Sequence, residues 1–287
     1  MNQLSYLPFL QQTLHYFDRP HEAVPVSPVA SPAAWKRDDL AGTPWRVRLD
    51  GAEADELRHA VSAWTARGRP LSELTRSEFA LPTLAPKIQA WRAEVAEGRG
   101  LQVISGVPVH SWSVAEAEVC FWGLGQHLGR PGAQNRKGDL LGHVRDTGAD
   151  RTDPYVRQYL TTQDIPFHCD AADMVGLLCL KQAKSGGVSR IASSVSVFNE
   201  LLRRRPDLAP RLFEPFMLDT RDESEANGLK ALPVPPCRYA SGVLRTFWHS
   251  QYFRTSQRHD GIRLTEAEHE LLDLYDAISG SPEFHVD

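Results

Sequence analysis

Residues 165–180 read Ile-Pro-Phe-His-Cys-Asp-Ala-Ala-Asp-Met-Val-Gly-Leu-Leu-Cys-Leu, a short polar motif followed by an unbroken apolar run. The run from Met174 to Leu180 suits a strand buried on both faces better than a helix, being only seven residues long. In the preceding Phe167-His168-Cys169-Asp170 an extended backbone would turn residues i and i+2 to one side. His168 and Asp170 are therefore expected to project into one cavity while Cys169 faces away. One imidazole and one carboxylate are two corners of the 2-His-1-carboxylate facial triad, which leaves open positions on iron(II). Beyond the run, Ser185-Gly186-Gly187 signals a hairpin turn, with residues 188–193 returning antiparallel. A second triplet of the same spacing, His285-Val286-Asp287, has no buried strand after it. Setting, not spacing, singles out the first.

Upstream, five prolines between Pro20 and Pro44 predict an irregular arm laid over the surface. Leu57, Val61 and Trp64 recur at helical spacing within a helix over 52–67, and a second helix is expected over 87–97. Gly98 and Gly100 end it, and Leu101 to Val107 reads as a strand. Ser113 and Glu116 form a capping box for a helix with Ala117, Phe121, Leu124 and Leu128 on its apolar stripe. Gly123, Gly125 and Gly129 come late in that helix. A dinucleotide loop must instead follow a strand and open a helix, so these glycines are assigned to close packing and helix termination. Downstream, Val197, Phe198, Leu201 and Leu202 face inward on a helix whose end carries Arg203, Arg204 and Arg205, cations favoured by the dipole. Residues 221–239, with Pro233, Pro235 and Pro236, read as a loop. The last helix opens on the capping box Thr265 and Glu268 and carries Leu264, Ala267, Leu271, Leu274, Tyr275 and Ile278 on one face.

Composition excludes several classes. With 32 basic against 36 acidic residues and a formal charge of -4, the chain has neither a nucleic-acid footprint nor a polybasic membrane patch. Cys120, Cys169, Cys179 and Cys237 contain no C-x-x-C pair and match neither a zinc site nor a disulfide framework. No apolar segment approaches the roughly 20 residues that span a bilayer, and the first twenty residues carry no signal-peptide pattern. A cytoplasmic location is the expectation.

The segments IPFHCDAADMVGLLCL, KSGGVSRIASS and VFNELLRRRPDL resemble the TauD/TfdA family of iron(II)/2-oxoglutarate-dependent dioxygenases. SPAAWKRDDL, GRGLQVISGVPV, FWGLGQHLGRPGAQN, LLGHVRD and FEPF extend the likeness over nearly the whole chain from about Ser31. The resemblance implies an α+β fold, a double-stranded β-helix (jelly roll) flanked by helices. It divides the chain into a Pro-rich arm over 1–50 and an oxygenase domain over 51–287. It places His168 and Asp170 on the proximal iron ligands. It also places Ser189 where relatives carry a threonine that meets 2-oxoglutarate. It implies Fe(2+) and 2-oxoglutarate as cofactors, succinate and CO2 as products, and oxidation of a C–H bond in a small molecule. Neither nucleic acid nor membrane is an expected partner, and self-association into a homo-oligomer stays open. Asn135, Arg157, Tyr159 and Thr161, just upstream of the motif, are candidates for the substrate pocket. His127 and His143 read as packing or surface residues.

The family completes its site with a second histidine and an arginine that follow a Pro-Gly-Asp turn. This sequence reads Phe284-His285-Val286-Asp287 where relatives lead into that turn. The expectation at this stage is a jelly roll lacking its last strands, with His285 an ordinary strand residue. The missing arginine would remove charge-assisted bonds worth about 1.5–3 kcal/mol each. His249, beside Trp248 in an aromatic stretch, falls too early to be the distal ligand. The alternative function is a catalytically incomplete jelly-roll protein that binds a small molecule or a partner. A zinc hydrolase on the same pair is less favoured, because catalytic zinc takes three protein ligands.

Overall fold

The computed structural model describes residues 6–135, 137–150, 153, 156–221 and 230–287. In chain order its helices are α1 (Phe9–Phe17), α2 (Gly51–Thr65), α3 (Leu84–Ala96), α4 (Val114–Leu128), α5 (Ser194–Arg204), α6 (Ser250–Thr255) and α7 (Glu266–Gly280). The strands are β1 (Arg46–Arg48), β2 (Val103–Ser105), β3 (Ile191–Ala192), β4 (Phe216–Asp219), β5 (Ala231–Val234), β6 (Cys237–Ala240), β7 (Val243–Thr246) and β8 (His285–Val286). They form two compact units that interleave along the chain.

One unit comprises the described parts of Met1–Leu14, Gly42–Gly142 and Ala172–Val188. Its core gathers Leu57, Val61 and Trp64 of α2, Leu84, Ile88 and Trp91 of α3, and Cys120 and Trp122 of α4 around Leu74 and Phe79. Asp50 and Glu53 cap α2 reciprocally, and Ser113 with Glu116 does the same for α4, so both helices satisfy their first amides locally. β1 pairs with β2 in parallel, Val47 opposite Ile104. The buried face of α4 is Ala117, Cys120, Trp122, Gly123 and His127; of the expected stripe, Ala117 is buried, Leu124 and Leu128 pack half-buried against the same core, and Phe121 lies outside the buried set. At Gly123 any Cβ would collide with the Phe79 ring. Gly123→Ala should lower stability by about 1–3 kcal/mol through overpacking. That outweighs the gain of about 1 kcal/mol in helix propensity, and a lower urea midpoint would register it. An open, largely apolar hollow of about 610 Å³ lies in this unit, and of the histidines read from sequence only His127 lines it. That imidazole is hydrogen-bonded to Phe79 O at 2.7 Å.

The other unit comprises the described parts of His15–Ala41, His143–Ala171 and Ser189–Asp287. Phe198, Leu201 and Leu202 of α5 pack with Leu271, Leu272, Tyr275 and Ile278 of α7 over Phe216, Trp248, Phe253 and Phe284. Thr265 and Glu268 cap α7 as read from sequence. The cationic end of α5 is exposed, as read from sequence, and its guanidinium groups pair with carboxylates: Arg203 and Arg204 both bond Glu200, and Arg205 bonds Asp207 and Glu270.

The strands depart from the sequence reading in two places. Met174–Leu180 is not a strand: it runs as irregular chain with Val175 58% and Leu177 74% exposed. Apolar composition alone cannot make a strand, because a strand exists only where another backbone satisfies its amides. The glycine turn is present, with Gly186 and Gly187 at φ 71 and 70. Its expected return arm nevertheless pairs elsewhere, Ile191 with Val286 and Ala192 with His285. Conversely, the proline-rich segment taken for a loop holds β5 and β6. β5 lies antiparallel to β4 in a two-stranded ladder, with Pro233 opposite Met217. An edge position tolerates a residue that lacks an amide hydrogen. β6 and β7 form a hairpin through Ser241-Gly242, both at positive φ, as a two-residue turn requires. The described strands thus form four two-stranded ladders.

Candidate active site

The motif is pinned by its middle residue. Cys169 N–H donates to Trp248 O at 2.8 Å, and the Cys169 side chain packs against the core. Burial pushes its thiol up to about 11, against a smaller opposing effect of the Trp248 hydrogen bond. With Cys169 turned inward, His168 and Asp170 are turned outward and are both exposed. Their nearest atoms, Nε2 and Oδ1, lie 4.0 Å apart. His168 Nδ1 sits 2.9 Å from Pro166 O. A carbonyl can only accept, so Nδ1 carries a hydrogen, and Nε2 is the ring nitrogen that faces Asp170.

That nitrogen and that carboxylate suit a metal. Adjacent ligands on an ion held at about 2.1 Å lie roughly 3 Å from each other, so a modest side-chain rotation closes the gap. The donor set fits two corners of a ferrous site. Among the described residues no group of three or more His, Cys, Asp or Glu side chains is arranged to hold an ion.

Beside the pair stands a wall that sequence reasoning did not assemble. The His249 ring lies 5.2 Å from that of His168, tilted by 35°, and stacks on Tyr252 at 3.7 Å and 13°. Arg157 Nη1 donates to Tyr252 OH at 2.7 Å. The Arg221 guanidinium lies over the Tyr252 ring at 4.3 Å, and its Nη1 donates to Val156 O at 3.0 Å. Burial lowers the His249 pKa to about 3, helped by repulsion from His168, Arg221 and Arg157, so this ring is neutral at physiological pH. Below the wall, Asp219 is 1% exposed, is ion-paired with Arg258 (Nε to Oδ2 2.9 Å), and accepts from Arg258 Nη2 at 3.1 Å and from Arg221 N–H at 3.0 Å. His259 Nε2 lies 3.2 Å from the same carboxylate. Burial would raise the Asp219 pKa, but these bonds outweigh it and hold the carboxyl below its usual range.

The other candidates are dispersed. Asn135, in the first unit, closes on its own turn: its carbonyl accepts from Lys137 N and its amide donates to Asp139 at 2.6 Å. Thr161 Oγ1 donates to Gln158 O at 2.9 Å. Tyr159 and Ser189 are exposed. Of the four upstream residues, Arg157 reaches the wall. His285 is buried within β8, its Nδ1 3.3 Å from Ser279 O, which matches its reading as a strand residue. The spacing Trp248-His249-x-x-Tyr252 was the available signal for one side of the wall. Arg221 offered none.

The sequence model of the family described as "Taurine catabolism dioxygenase TauD, TfdA family" matches residues 67–287. Among curated proteins, "FR-33289 synthase" of Streptomyces rubellomurinus (strain ATCC 31215) is 30% identical over 262 residues, spanning 90% of this chain and 77% of that protein. "Taurine hydroxylase-like protein SAT17" of Stachybotrys chartarum (strain CBS 109288 / IBT 7711) is 29% identical over 195 residues, 65% of this chain and 51% of that protein. Among the described residues no helix is long and apolar enough to cross a membrane.

Proposed function

The chain belongs to the TauD, TfdA family of dioxygenases, and from that premise we propose that it is built for iron(II)- and 2-oxoglutarate-dependent oxidation of a C–H bond in a small molecule. The observation that carries this reading is the outward pair His168 and Asp170, 4.0 Å apart, with the imidazole oriented by its hydrogen bond to Pro166 O. When bound, iron(II) and 2-oxoglutarate would activate O2, the oxidant: one oxygen atom would go into succinate as the oxo acid loses CO2, and the other would be inserted into the C–H bond of the substrate. The residues' own tasks are simpler. His168 Nε2 and Asp170 Oδ1 hold the ion, and the hydrogen bond from Nδ1 keeps the ring oriented and its lone pair available. The Cys169–Trp248 backbone bond fixes the extended segment, so that both side chains leave on one side. Ser189 has the hydroxyl to meet the cosubstrate. The neutral His249 ring and Tyr252 form an apolar flank that limits water on one side of the pair. The jelly-roll architecture belongs to the same proposal, as the family's fold.

The test is anaerobic titration with iron(II), followed by 2-oxoglutarate and then air. One iron bound per chain, a rise in melting temperature on adding 2-oxoglutarate, and succinate released on oxygenation are the expected results. A chain that binds no iron, or that binds zinc in its place and releases no succinate, would overturn the reading.

A further inference from the structure

The open hollow of the first unit is walled mainly by apolar atoms, those of Ala80, Leu81, Pro82 and Ala85 among them, with the His127 ring in its lining and Arg76 exposed beside it. Its volume of about 610 Å³ falls in the range of about 300–1,000 Å³ typical of small-molecule clefts, which are mostly apolar with a few placed polar groups. His127 is 5% exposed, and its two ring nitrogens have different surroundings. Nε2 lies 2.7 Å from Phe79 O and, since a carbonyl can only accept, carries a hydrogen. Nδ1 is buried and has no hydrogen-bond partner. In the neutral ring that nitrogen is an acceptor, and leaving it unpaired costs free energy that a donor would recover.

The ring is held where it is by packing. Phe79 settles on Gly123, and its carbonyl meets His127 one turn further along α4. Gln89 of α3 donates to the His127 carbonyl at 3.0 Å. Neither bond engages Nδ1. The hydroxyls in the lining are already committed, Ser77 to Thr75 and Thr75 to Glu78. The donor must come from outside the protein.

We infer that this hollow binds a small ligand with an apolar body and one hydroxyl, the hydroxyl donating to His127 Nδ1. The body would displace water from Ala80, Leu81, Pro82 and Ala85. Arg76 at the rim favours an aromatic body, whose face attracts a guanidinium, so a phenol is the simplest member of the class. Because Nδ1 is shut off from bulk water, the hydroxyl reaches it through a small shift of the wall, and Ala80 and Pro82, exposed on an irregular segment, are where the wall can yield. All these residues lie in the unit that does not contain His168 and Asp170, and the inference is independent of the oxygenase reading.

The probes are p-fluorophenol and p-fluorotoluene, nearly equal in shape, titrated into the full-length protein at mildly alkaline pH and followed by fluorine NMR. Millimolar binding of the phenol is expected, weak because the hollow is open on one side. Its preference over the toluene should fall at least tenfold in His127→Leu. Ala80→Trp and Ala85→Trp, which fill the hollow from positions outside the buried core, should abolish the binding of both. In the unaltered protein, long-range nitrogen–proton NMR should show the His127 Nδ1 resonance moving with the phenol and staying in place with the toluene. Circular dichroism identifies a variant that fails to fold; should His127→Leu do so, the tryptophan variants and the nitrogen shift carry the test. Absence of phenol binding, an unchanged preference in His127→Leu, an Nδ1 resonance indifferent to bound phenol, or binding that survives both tryptophan variants would overturn the site.

Discussion

Replacing His168 or Asp170 by alanine should weaken iron(II) binding by at least a hundredfold while leaving the melting temperature of the metal-free protein almost unchanged. Residues that merely orient a metal ligand cost about 10–100-fold in affinity when removed, so a ligand itself should cost no less. A hundredfold is about 2.7 kcal/mol. The stability side follows from exposure: the two side chains are 31% and 55% exposed and make few contacts. Substitutions at such positions usually stay within about 0.5 kcal/mol. Cys169→Ala should behave in the opposite way, losing stability by about 1–2 kcal/mol from the core while retaining iron affinity. The three variants together test the alternation of side chains, measured by anaerobic iron titration and by urea unfolding. Iron affinity that survives both His168→Ala and Asp170→Ala would place the metal elsewhere.

The helices were legible because their signals are local. Ser113 with Glu116 and Thr265 with Glu268 fix helix starts within three residues, and the α5 face Val197, Phe198, Leu201 and Leu202 is read from spacing alone. The α4 face was read in part: Ala117, Leu124 and Leu128 do reach the core, but the burial of Gly123 depends on Phe79, far away in sequence, settling onto it. The strands were least legible, and for the same reason. Whether Met174–Leu180 pairs, or whether Pro233 can sit in a ladder, is decided by a partner that no local pattern names.

The candidate site divides along the same line. Two positions of it, His168 and Asp170, share a short extended segment, so spacing and family resemblance bring them together. His249, Tyr252, Arg157 and Arg221 converge from three separated stretches of chain. Arg157 was picked out for its proximity to the motif and does reach the wall. Asn135, chosen on the same ground, closes on its own turn instead. Nearness in sequence is thus a poor guide within this segment.

Trp248→Ala should be among the most destabilising single changes in the second unit, at about 3–5 kcal/mol, the usual cost of removing a buried large aromatic. Trp248 is 1% exposed and stacks on Tyr275 at 3.8 Å and 23°. Its Nε1 donates to Asp276 at 3.0 Å. Partial burial already raises the Asp276 pKa, with Ser250 and Trp248 holding it down, so losing the indole N–H leaves a half-buried carboxylate less satisfied. Trp248→Phe separates the two effects: the ring stack survives in part, and the lost hydrogen bond to a charged group costs about 1.5–3 kcal/mol. The pH dependence has a definite sign. Removing the donor raises the folded-state pKa of Asp276 further, and a raised carboxylate pKa favours folding at low pH and loses that contribution as pH rises through it. The deficit of Trp248→Phe should therefore be largest at neutral pH and narrow as the carboxyl protonates in acid. Because the Trp248 carbonyl holds Cys169 N–H and the next residue is His249, the collapse left by alanine should also blur the His168 and Asp170 geometry. Weaker iron binding in Trp248→Ala than in Trp248→Phe, at temperatures where both are folded, would demonstrate that coupling; equal affinities would show that the backbone bond suffices without the indole.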